Sequence, residues 1–221
     1  MSIVDIKKIV SMSDRDSKQM HEGRTRICIA RHGELTTSQE WRYVGHKDVE
    51  LNDTGIEQIK RLAERLKNQE INIILSSDLK RAKKSAEIIG EILGLPVETY
   101  KDFREINLGH WEGMTRDEIK ACFNDEFESR FTNIAEFRIE NGESFMDVSK
   151  RVIPRLMSCT EKNKGSNILL VAHGGVNRVI LCHVLGLDLN NLVRIDQAYA
   201  CLNIIDYFDG VPVVRLMNET V

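Results

Sequence analysis

Short apolar runs along the chain alternate with longer stretches in which apolar residues recur every three or four positions. The short runs predict buried strands, at residues 26–30, 72–76 and 167–172. The longer stretches predict amphipathic helices at 56–66, where Asn52 offers a cap, and at 79–93, where Gly94 ends the pattern. Because strands and helices alternate, we expect an α/β fold.

The second half of the chain continues this alternation. A helix is predicted from Phe145, and Pro154 is expected to kink it or to end it early. Residues 176–187 are apolar nearly all round, which predicts a deeply buried helix. Two final strands, 201–207 and 211–216, are separated by an Asp-Gly turn and predict a hairpin. The whole pattern predicts a three-layer α/β/α fold with a mostly parallel sheet.

The first 25 residues differ from the rest of the chain. Ile3, Ile6 and Val10 have helical spacing, but the polar sequence that follows them offers no apolar face. We interpret 1–25 as an N-terminal tail and 26–221 as one domain, without an internal repeat, a linker or a second hydrophobic core.

Composition narrows the class of protein. Among 221 residues, 31 Lys and Arg stand against 34 Asp and Glu, a formal net charge of −3, which argues against nucleic acid or an anionic membrane as a partner. No apolar stretch approaches the ~20 residues that span a bilayer, and charged residues interrupt the N-terminal region where a signal peptide would be apolar. Five scattered cysteines without a C-x-x-C pair are typical of reduced thiols. We therefore expect a cytoplasmic protein, and no spacing of residues suggests a metal site.

Two of the predicted strands end in the same signature. His32-Gly33 follows the first strand, and His173-Gly174 follows the most apolar one. In parallel sheets, ligands bind beyond the carboxyl ends of strands, and glycine lets a ligand approach the backbone closely. The second signature leads into a helix, whose free N–H groups favour an anion. A hydrogen-bonded histidine that merely closes a strand is the plain alternative.

Six blocks in order resemble the histidine phosphatase (phosphoglycerate mutase-like) superfamily, over about residues 26–207. The blocks are RHGE at 31–34, YVGHKDVEL at 43–51, SSDLKRAKKSAEII at 76–89, REINLGHWEGMTRDEI at 104–119, GESFMDVSKRV at 142–152 and VAHGG at 171–175. The acid block is written as in the phosphatase branch, and the combination most resembles α-ribazole phosphatases of cobamide synthesis.

The resemblance implies roles for five residues. His32 corresponds to the nucleophile that becomes phosphorylated, Arg31 and Arg81 to the arginines that clamp the phosphoryl oxygens, His173 to the second pocket histidine, and Glu105 to the proton donor. These residue types suit the chemistry, because a phosphoryl group in transfer spreads negative charge over its oxygens. Arginines can neutralise that charge, so no metal and no cofactor is expected.

The first block departs from the family pattern. Family members commonly carry Thr and Asn where this chain has Leu35 and Ser38, so a hydroxyl of Thr36, Thr37 or Ser38 could take over in the phosphate pocket. Gly45 and Gly174 are further candidates for substrate contact. Glu34 is the second choice as the acid.

Several residues near the expected site have both a functional and a plain interpretation. His46 and His110 could touch substrate or be exposed, Trp41, Tyr43 and Trp111 could stack on substrate or pin their loops, and Glu112 could be mistaken for the acid. His183 is interpreted as a core histidine, and Arg24 and Arg26 as solvated. The apolar positions at 127–139 could form a lid, a contact in a homodimer, or core.

The sequence therefore predicts a metal-independent phosphomonoesterase acting on a small phosphate ester, α-ribazole 5′-phosphate being one candidate substrate. Two alternatives stay open: a phosphoglycerate mutase-type phosphotransferase, and a non-catalytic module that binds a phosphorylated ligand.

Overall fold

A six-stranded mixed sheet lies at the centre of the computed structural model, which describes residues 23–38 and 40–221. The strands are β1 Arg24–Arg31, β2 Ile73–Ser77, β3 Val97–Tyr100, β4 Asn167–Ala172, β5 Leu202–Phe208 and β6 Val211–Glu219. Their order across the sheet is β3-β2-β4-β1-β5-β6. Strand β5 is antiparallel to both of its neighbours, and the other pairs are parallel. The prediction of a mostly parallel sheet is confirmed.

Helices cover both faces of the sheet. They are α1 Asp53–Leu66, α2 Lys80–Leu93, α3 Arg116–Ser129, α4 Phe145–Lys162 and α5 Gly174–Leu185. Side chains of β1 alternate between the faces: Ile27 and Ile29 join the cluster formed with α4 and α5, and Cys28 and Ala30 join the cluster formed with α1 and α2. The prediction of three layers is confirmed. Instead of the single hydrophobic core that was expected, the structure has two hydrophobic clusters, one on each face of the sheet.

Helix α4 does not end or break at Pro154, contrary to the sequence prediction. It starts with a capping box between Ser144 and Asp147 and runs through the proline to Lys162. Val148, Val152 and Leu156, on either side of the proline, are buried against the sheet. That burial offsets the one backbone hydrogen bond that a proline removes.

Strand pairing also corrects the domain boundary and the interpretation of two arginines. β1 begins at Arg24, so the last residues of the predicted tail belong to the sheet. Arg26 pairs with Asp206 across β1 and β5, and its Nε lies 2.7 Å from Oδ1 of that carboxylate, which is 2% exposed. Arg24 lies 3.9 Å from the same carboxylate. Both arginines are therefore partly buried and held by a buried carboxylate instead of being fully solvated. The rest of the predicted tail, with the helical spacing of Ile3, Ile6 and Val10, lies outside the described residues.

Further corrections concern single side chains. His183 is exposed near the end of α5, although the apolar sequence around it predicted a core position. In the 127–139 segment, Phe127 and Ile134 are buried in the core, whereas Phe131 is 59% exposed. Core packing is thus the main role of this segment. Within the described part of the chain, no helix has both the length and the apolarity to cross a membrane.

Candidate active site

Two neighbouring parallel strands bring two histidines together. His32 directly follows β1 and His173 directly follows β4, and Arg31 is in register with Ala172 between these strands. The centroids of the two imidazole rings are 5.2 Å apart. Their residues are 3% and 0% exposed, respectively. The carboxyl edge of the sheet therefore holds a buried histidine pair.

The hydrogen bonding of His32 defines which ring nitrogen is free. Its Nδ1 lies 2.8 Å from the backbone oxygen of Gly33. Because a carbonyl oxygen only accepts, Nδ1 carries the hydrogen and Nε2 keeps its lone pair. Burial, then the charges of Arg81 and Arg31, lower the pKa of His32 well below its usual value. The imidazole is therefore neutral at neutral pH, the form that can act as a nucleophile.

His173 is fully buried beside the first histidine. Among the described residues, neither of its ring nitrogens has a hydrogen-bond partner. Burial lowers its pKa well below the usual value, with further contributions from Arg81 and His32. A buried polar group without a partner is costly, so these nitrogens are available to a ligand that enters the site.

The side chain of Arg31, at the end of β1, is held by a backbone carbonyl and by an aromatic ring. Its Nη1 donates to the backbone oxygen of Gln197 at 2.6 Å, and its Cζ lies 4.1 Å from the centroid of the Tyr199 ring. Gln197 in turn exchanges hydrogen bonds with Asn203 and accepts one from Asn177, all buried. This amide network fixes the direction of the Arg31 guanidinium.

Arg81 reaches the site from α2 and is 1% exposed. Its Nη1 donates to the backbone oxygen of Lys47 at 3.0 Å, and its Nη2 to that of Gly45 at 2.7 Å. A Cβ at position 45 would collide with the backbone oxygen of Ile106, so this close approach requires glycine. Gly45, a candidate for substrate contact, thus supports the arginine through its carbonyl.

Glu112 organises the loop that holds Arg81. Its carboxylate accepts hydrogen bonds from the backbone N–H groups of Gly45 at 3.0 Å, His46 at 2.6 Å and Lys47 at 3.3 Å, and from a fourth N–H in its own loop. The His46 ring faces the protein, since its Nε2 lies 2.8 Å from the backbone oxygen of Glu105. Sequence reasoning weighed Glu112 only as a rival acid and missed this role.

Glu105 lines the same cavity as His32. Its Oε1 accepts from the N–H of Ile106 and its Oε2 from the N–H of Gly175 in the first turn of α5, each at 2.9 Å. A Cβ at position 175 would collide with Oε1 of this carboxylate, so a larger residue there would displace the Glu105 side chain. Each carboxylate oxygen keeps a second lone pair, which leaves room for a proton.

The loop after β1 places its side chains differently from the expectation. Leu35 lines the cavity, whereas Thr36 is exposed and Ser38 donates from Oγ to Oε1 of Glu34 at 2.7 Å. Neither hydroxyl belongs to the described cavity wall. Hydrogen bonds from Ser38 and then Asn52 lower the pKa of Glu34, which points to a structural carboxylate and makes Glu105 the better candidate acid.

The cavity has a volume of about 180 Å³ and is rich in arginine. Its described wall includes Arg31, Trp41, Arg42, Tyr43, Arg81, Arg130, Phe145, Gly174, Arg178 and Tyr199. Sequence reasoning missed Arg42, Arg130 and Arg178. Of these, only Arg178 had a sequence signal that could have found it. It lies one helical turn after the His-Gly-Gly signature, near the start of a helix whose free N–H groups favour an anion.

The remaining candidates lie away from the cavity wall. Trp111 is fully buried in the core. The His110 ring is tilted against that of Phe123, with 4.4 Å between centroids, and its Nε2 lies 3.2 Å from Oε2 of Glu126. In the part of the chain that the structure describes, no group of three or more His, Cys, Asp or Glu side chains is placed to hold a metal ion.

The sheet and its flanking helices place the chain in the phosphoglycerate mutase-like class of α/β proteins. The family described as "Histidine phosphatase superfamily (branch 1)" matches residues 27–220, and the chain belongs to that superfamily. The family expectation from the sequence is confirmed.

Relatives within this family carry both mutase and phosphatase names. The chain is 40% identical to phosphoglycerate mutase-like protein 4 of Arabidopsis thaliana over 155 residues, 69% of this chain and 67% of the relative. It is similar in structure to a mycobacterial glucosyl-3-phosphoglycerate phosphatase complexed with VO3, with a TM-score of 0.81, 28% identity and coverage of 88% and 99% of the two chains. A putative α-ribazole-5′-P phosphatase from Escherichia coli gives a TM-score of 0.81 at 25% identity, covering 88% of this chain and 96% of that one.

Proposed function

We propose that this protein is a phosphomonoesterase that hydrolyses a small phosphorylated metabolite through a phosphohistidine on His32. The observation that supports it is a neutral imidazole with a free Nε2, flanked by Arg31 and Arg81, in the same cavity as the Glu105 carboxyl group. A nucleophile, charge-stabilising groups and a proton donor are the parts that phosphoryl transfer to a side chain needs.

The reaction takes place in two steps. In the first, the lone pair of His32 Nε2 forms a bond to phosphorus, the ester P–O bond breaks, and a protonated Glu105 gives its proton to the departing oxygen. In the second, Glu105 removes a proton from water, the water oxygen attacks phosphorus, and the P–N bond breaks to release phosphate and neutral His32. The guanidinium groups of Arg31 and Arg81 bind the phosphoryl oxygens in both steps.

The substrate is proposed only from similarity. The α-ribazole-5′-P phosphatase supports a nucleotide-like ester and cobamide synthesis, whereas the glucosyl-3-phosphoglycerate phosphatase supports an acidic sugar ester. The Arabidopsis relative favours a second function, a mutase that returns the phosphoryl group to another hydroxyl. Product analysis separates the two: release of free phosphate supports the esterase, and conversion of 3-phosphoglycerate to its 2-isomer without release supports the mutase.

A direct test looks for the phosphohistidine itself. The protein is incubated with a generic phosphate ester, the reaction is stopped in alkali, and the phosphorylated residue is located by mass spectrometry. We expect phosphate on His32 and no turnover in His32→Asn, with His183→Asn as the matched control at an exposed position. Turnover that survives in His32→Asn would overturn the mechanism. A protein that binds phosphate esters without any turnover would instead be a binding module.

The acid is tested by the leaving group. Glu105→Gln cannot protonate the departing oxygen, so hydrolysis of alkyl phosphates should slow far more than that of an activated aryl phosphate. Equal slowing of both ester types would move the assignment to another group, and Glu34→Gln is the comparison variant.

A further inference from the structure

The Tyr199 ring lies against two residues of the candidate active site. The Cζ of Arg31 is 4.1 Å from the centroid of this ring, and the His32 ring is 5.7 Å from it between centroids. Among the described residues, every other contact between a cation and an aromatic ring is at 5.1 Å or more. The guanidinium of Arg31 is therefore packed directly on an aromatic face, in the arrangement that attracts a cation most strongly.

The backbone next to Tyr199 is held in an uncommon conformation. Ala200 has a φ of 51°, in the left-handed region that residues other than glycine rarely adopt. Its N–H donates to the backbone oxygen of His32 at 3.1 Å, and the backbone oxygen of Cys201 accepts from the N–H of Arg31 at 3.2 Å. A strained residue persists only where the surrounding contacts hold it. These two hydrogen bonds fix the segment that carries the ring against residues 31 and 32.

A single hydrogen bond does not fix the plane of the Arg31 guanidinium. Its Nη1 donates to the backbone oxygen of Gln197, its Nε is buried without a partner, and its Nη2 makes no hydrogen bond to a described residue. A Cβ built on Gly174 would lie 3.5 Å from Nε, so the start of α5 is close to this nitrogen. Rotation about the Gln197 hydrogen bond is therefore limited by the Tyr199 ring and by α5, and Nη2 is left to bind a ligand.

We propose that Tyr199 is a positioning residue, whose aromatic face holds the Arg31 guanidinium in the plane in which Nη2 meets the phosphoryl oxygens. The inference rests on the proposed function and adds to it a residue that acts through Arg31. Guanidinium groups stack on aromatic faces because both are planar and the ring attracts the charge. A donor that is already oriented needs no rearrangement when charge develops on the phosphoryl group.

Two substitutions separate the aromatic face from the hydroxyl. Tyr199→Leu removes the face, and we expect kcat/KM for p-nitrophenyl phosphate to fall about 5- to 30-fold. Tyr199→Phe keeps the face and should recover most of that loss. An unchanged kcat/KM in Tyr199→Leu would overturn the proposal. Equal losses in the two variants would also overturn it, since the hydroxyl would then be the group that acts.

A second tyrosine provides the matched control. Tyr100 stacks on Arg155, with 5.1 Å between Cζ and the ring centroid, and neither residue belongs to the described cavity wall. Tyr100→Leu should therefore change kcat/KM by less than about 2-fold. A loss as large as that in Tyr199→Leu would mean that general destabilisation, and not the position of Arg31, lowers the activity, which would overturn the proposal.

A double-mutant cycle tests whether the ring acts through the arginine. In a protein that carries Arg31→Met there is no guanidinium to hold, so adding Tyr199→Leu should lower kcat/KM by less than about 2-fold. A ring with a merely structural role would give the same loss in both backgrounds, and that result would overturn the proposal. If thermal denaturation shows that Tyr199→Leu is unfolded at the assay temperature, Tyr199→Met takes its place in every arm.

Binding of inorganic phosphate separates failure of this inference from failure of the proposed function. In the His32→Asn background, calorimetry measures the Kd of phosphate for the same four combinations at positions 31 and 199. A loss of affinity in Tyr199→Leu that disappears once Arg31→Met is present supports the positioning role even if no ester is hydrolysed. The same loss in both backgrounds, or no loss in either, overturns the positioning role even if hydrolysis that depends on His32 is found.

Discussion

The floor of the cavity (Arg31, His32 and Arg81, with His173 packed against His32), where we propose that phosphate binds, and its wall (residues 41–44, Arg130 and Phe145) are built in different ways. Floor residues follow strands or lie on a helix, and backbone carbonyls hold both arginines. Wall residues come from loops and from the end of a helix that is kinked at Phe123. Hydrogen bonds to backbone groups tie residues 42 and 43 to residues 113 and 114, and ring contacts join Trp41, Arg130 and Phe145 to this loop or to its neighbours. In the proposed reaction, therefore, the regular sheet positions the reacting groups, whereas the loops and the end of α3 are placed to contact the rest of the substrate.

Removing a floor arginine should have the largest effect. Arg81→Met deletes a charge aimed at the phosphoryl oxygens, and we expect kcat/KM to fall about 10²- to 10³-fold for every ester. Steady-state kinetics on 3-phosphoglycerate and glycerol 3-phosphate measure this. Arg155→Met, which removes a surface partner of Asp102, is the control. A loss confined to one ester would mean that Arg81 acts as a wall residue.

Glu112→Gln should destabilise the loop that holds Arg81, although Glu112 itself does not contact this arginine through a hydrogen bond. An amide cannot accept with both terminal atoms, so part of the N–H cluster of residues 45–47 loses its partner and the loop under Arg81 loosens. We expect the free energy of unfolding to fall by about 1–3 kcal/mol and kcat to fall with it. Urea denaturation and kinetics check both. Glu57→Gln, on the exposed face of α1, should change stability by less than about 0.5 kcal/mol; an equal change in both variants would contradict the assigned role.

The buried histidines should make the floor sensitive to acid. Their folded pKa values lie well below the usual 6.5, so between the two values the unfolded chain binds more protons than the folded one. The free energy of unfolding should therefore fall as the pH drops below about 6.5, by about 1.4 kcal/mol per pH unit for each histidine. Urea titrations from pH 8 to pH 5 should show a smaller slope in His173→Gln than in the wild type. His183→Gln, at an exposed site, should keep the wild-type slope.

A wall residue should affect binding with little effect on stability. Trp41 is 57% exposed and contacts Tyr43 with 4.5 Å between ring centroids. Trp41→Ala should therefore change the free energy of unfolding by about 0.5 kcal/mol or less, while raising KM for the preferred ester. A destabilisation as large as that expected for a buried aromatic would remove the distinction between wall and floor at this position.

The floor was predictable because its elements have local signatures. The run at 167–172 is a strand with the predicted bounds. Because β1 and β4 are parallel neighbours, the histidines that follow them lie at the same edge of the sheet. Strand β3 was missed because it is an edge strand, with exposed Glu98 and Thr99 in place of an apolar run. Helix α3 was missed because its sequence is polar and its kink interrupts the helical period.

The wall was predictable only in part: Trp41 and Tyr43 were candidates for substrate contact, but Arg130 joins them only through long-range packing. Arg130 reaches the cavity because the nearby Phe127 and Trp111 are buried in the core, a relation that no short motif expresses. The role of Glu112 depends on backbone N–H groups more than 60 residues earlier in the chain. The chemistry of a side chain can be predicted from its residue type, but the backbone groups that it contacts can be identified only from the fold.

The amide network beneath Arg31 has a consequence for synthesis of the protein. Gln197 is held by Asn203, and Asn203 accepts a hydrogen bond from the backbone of Asn218 in β6. Because a chain is synthesised from its amino end, the proposed nucleophile His32 is made well before the hairpin of β5 and β6 that completes the network beneath Arg31. A nascent chain therefore carries His32 before it can hold the neighbouring arginine in place.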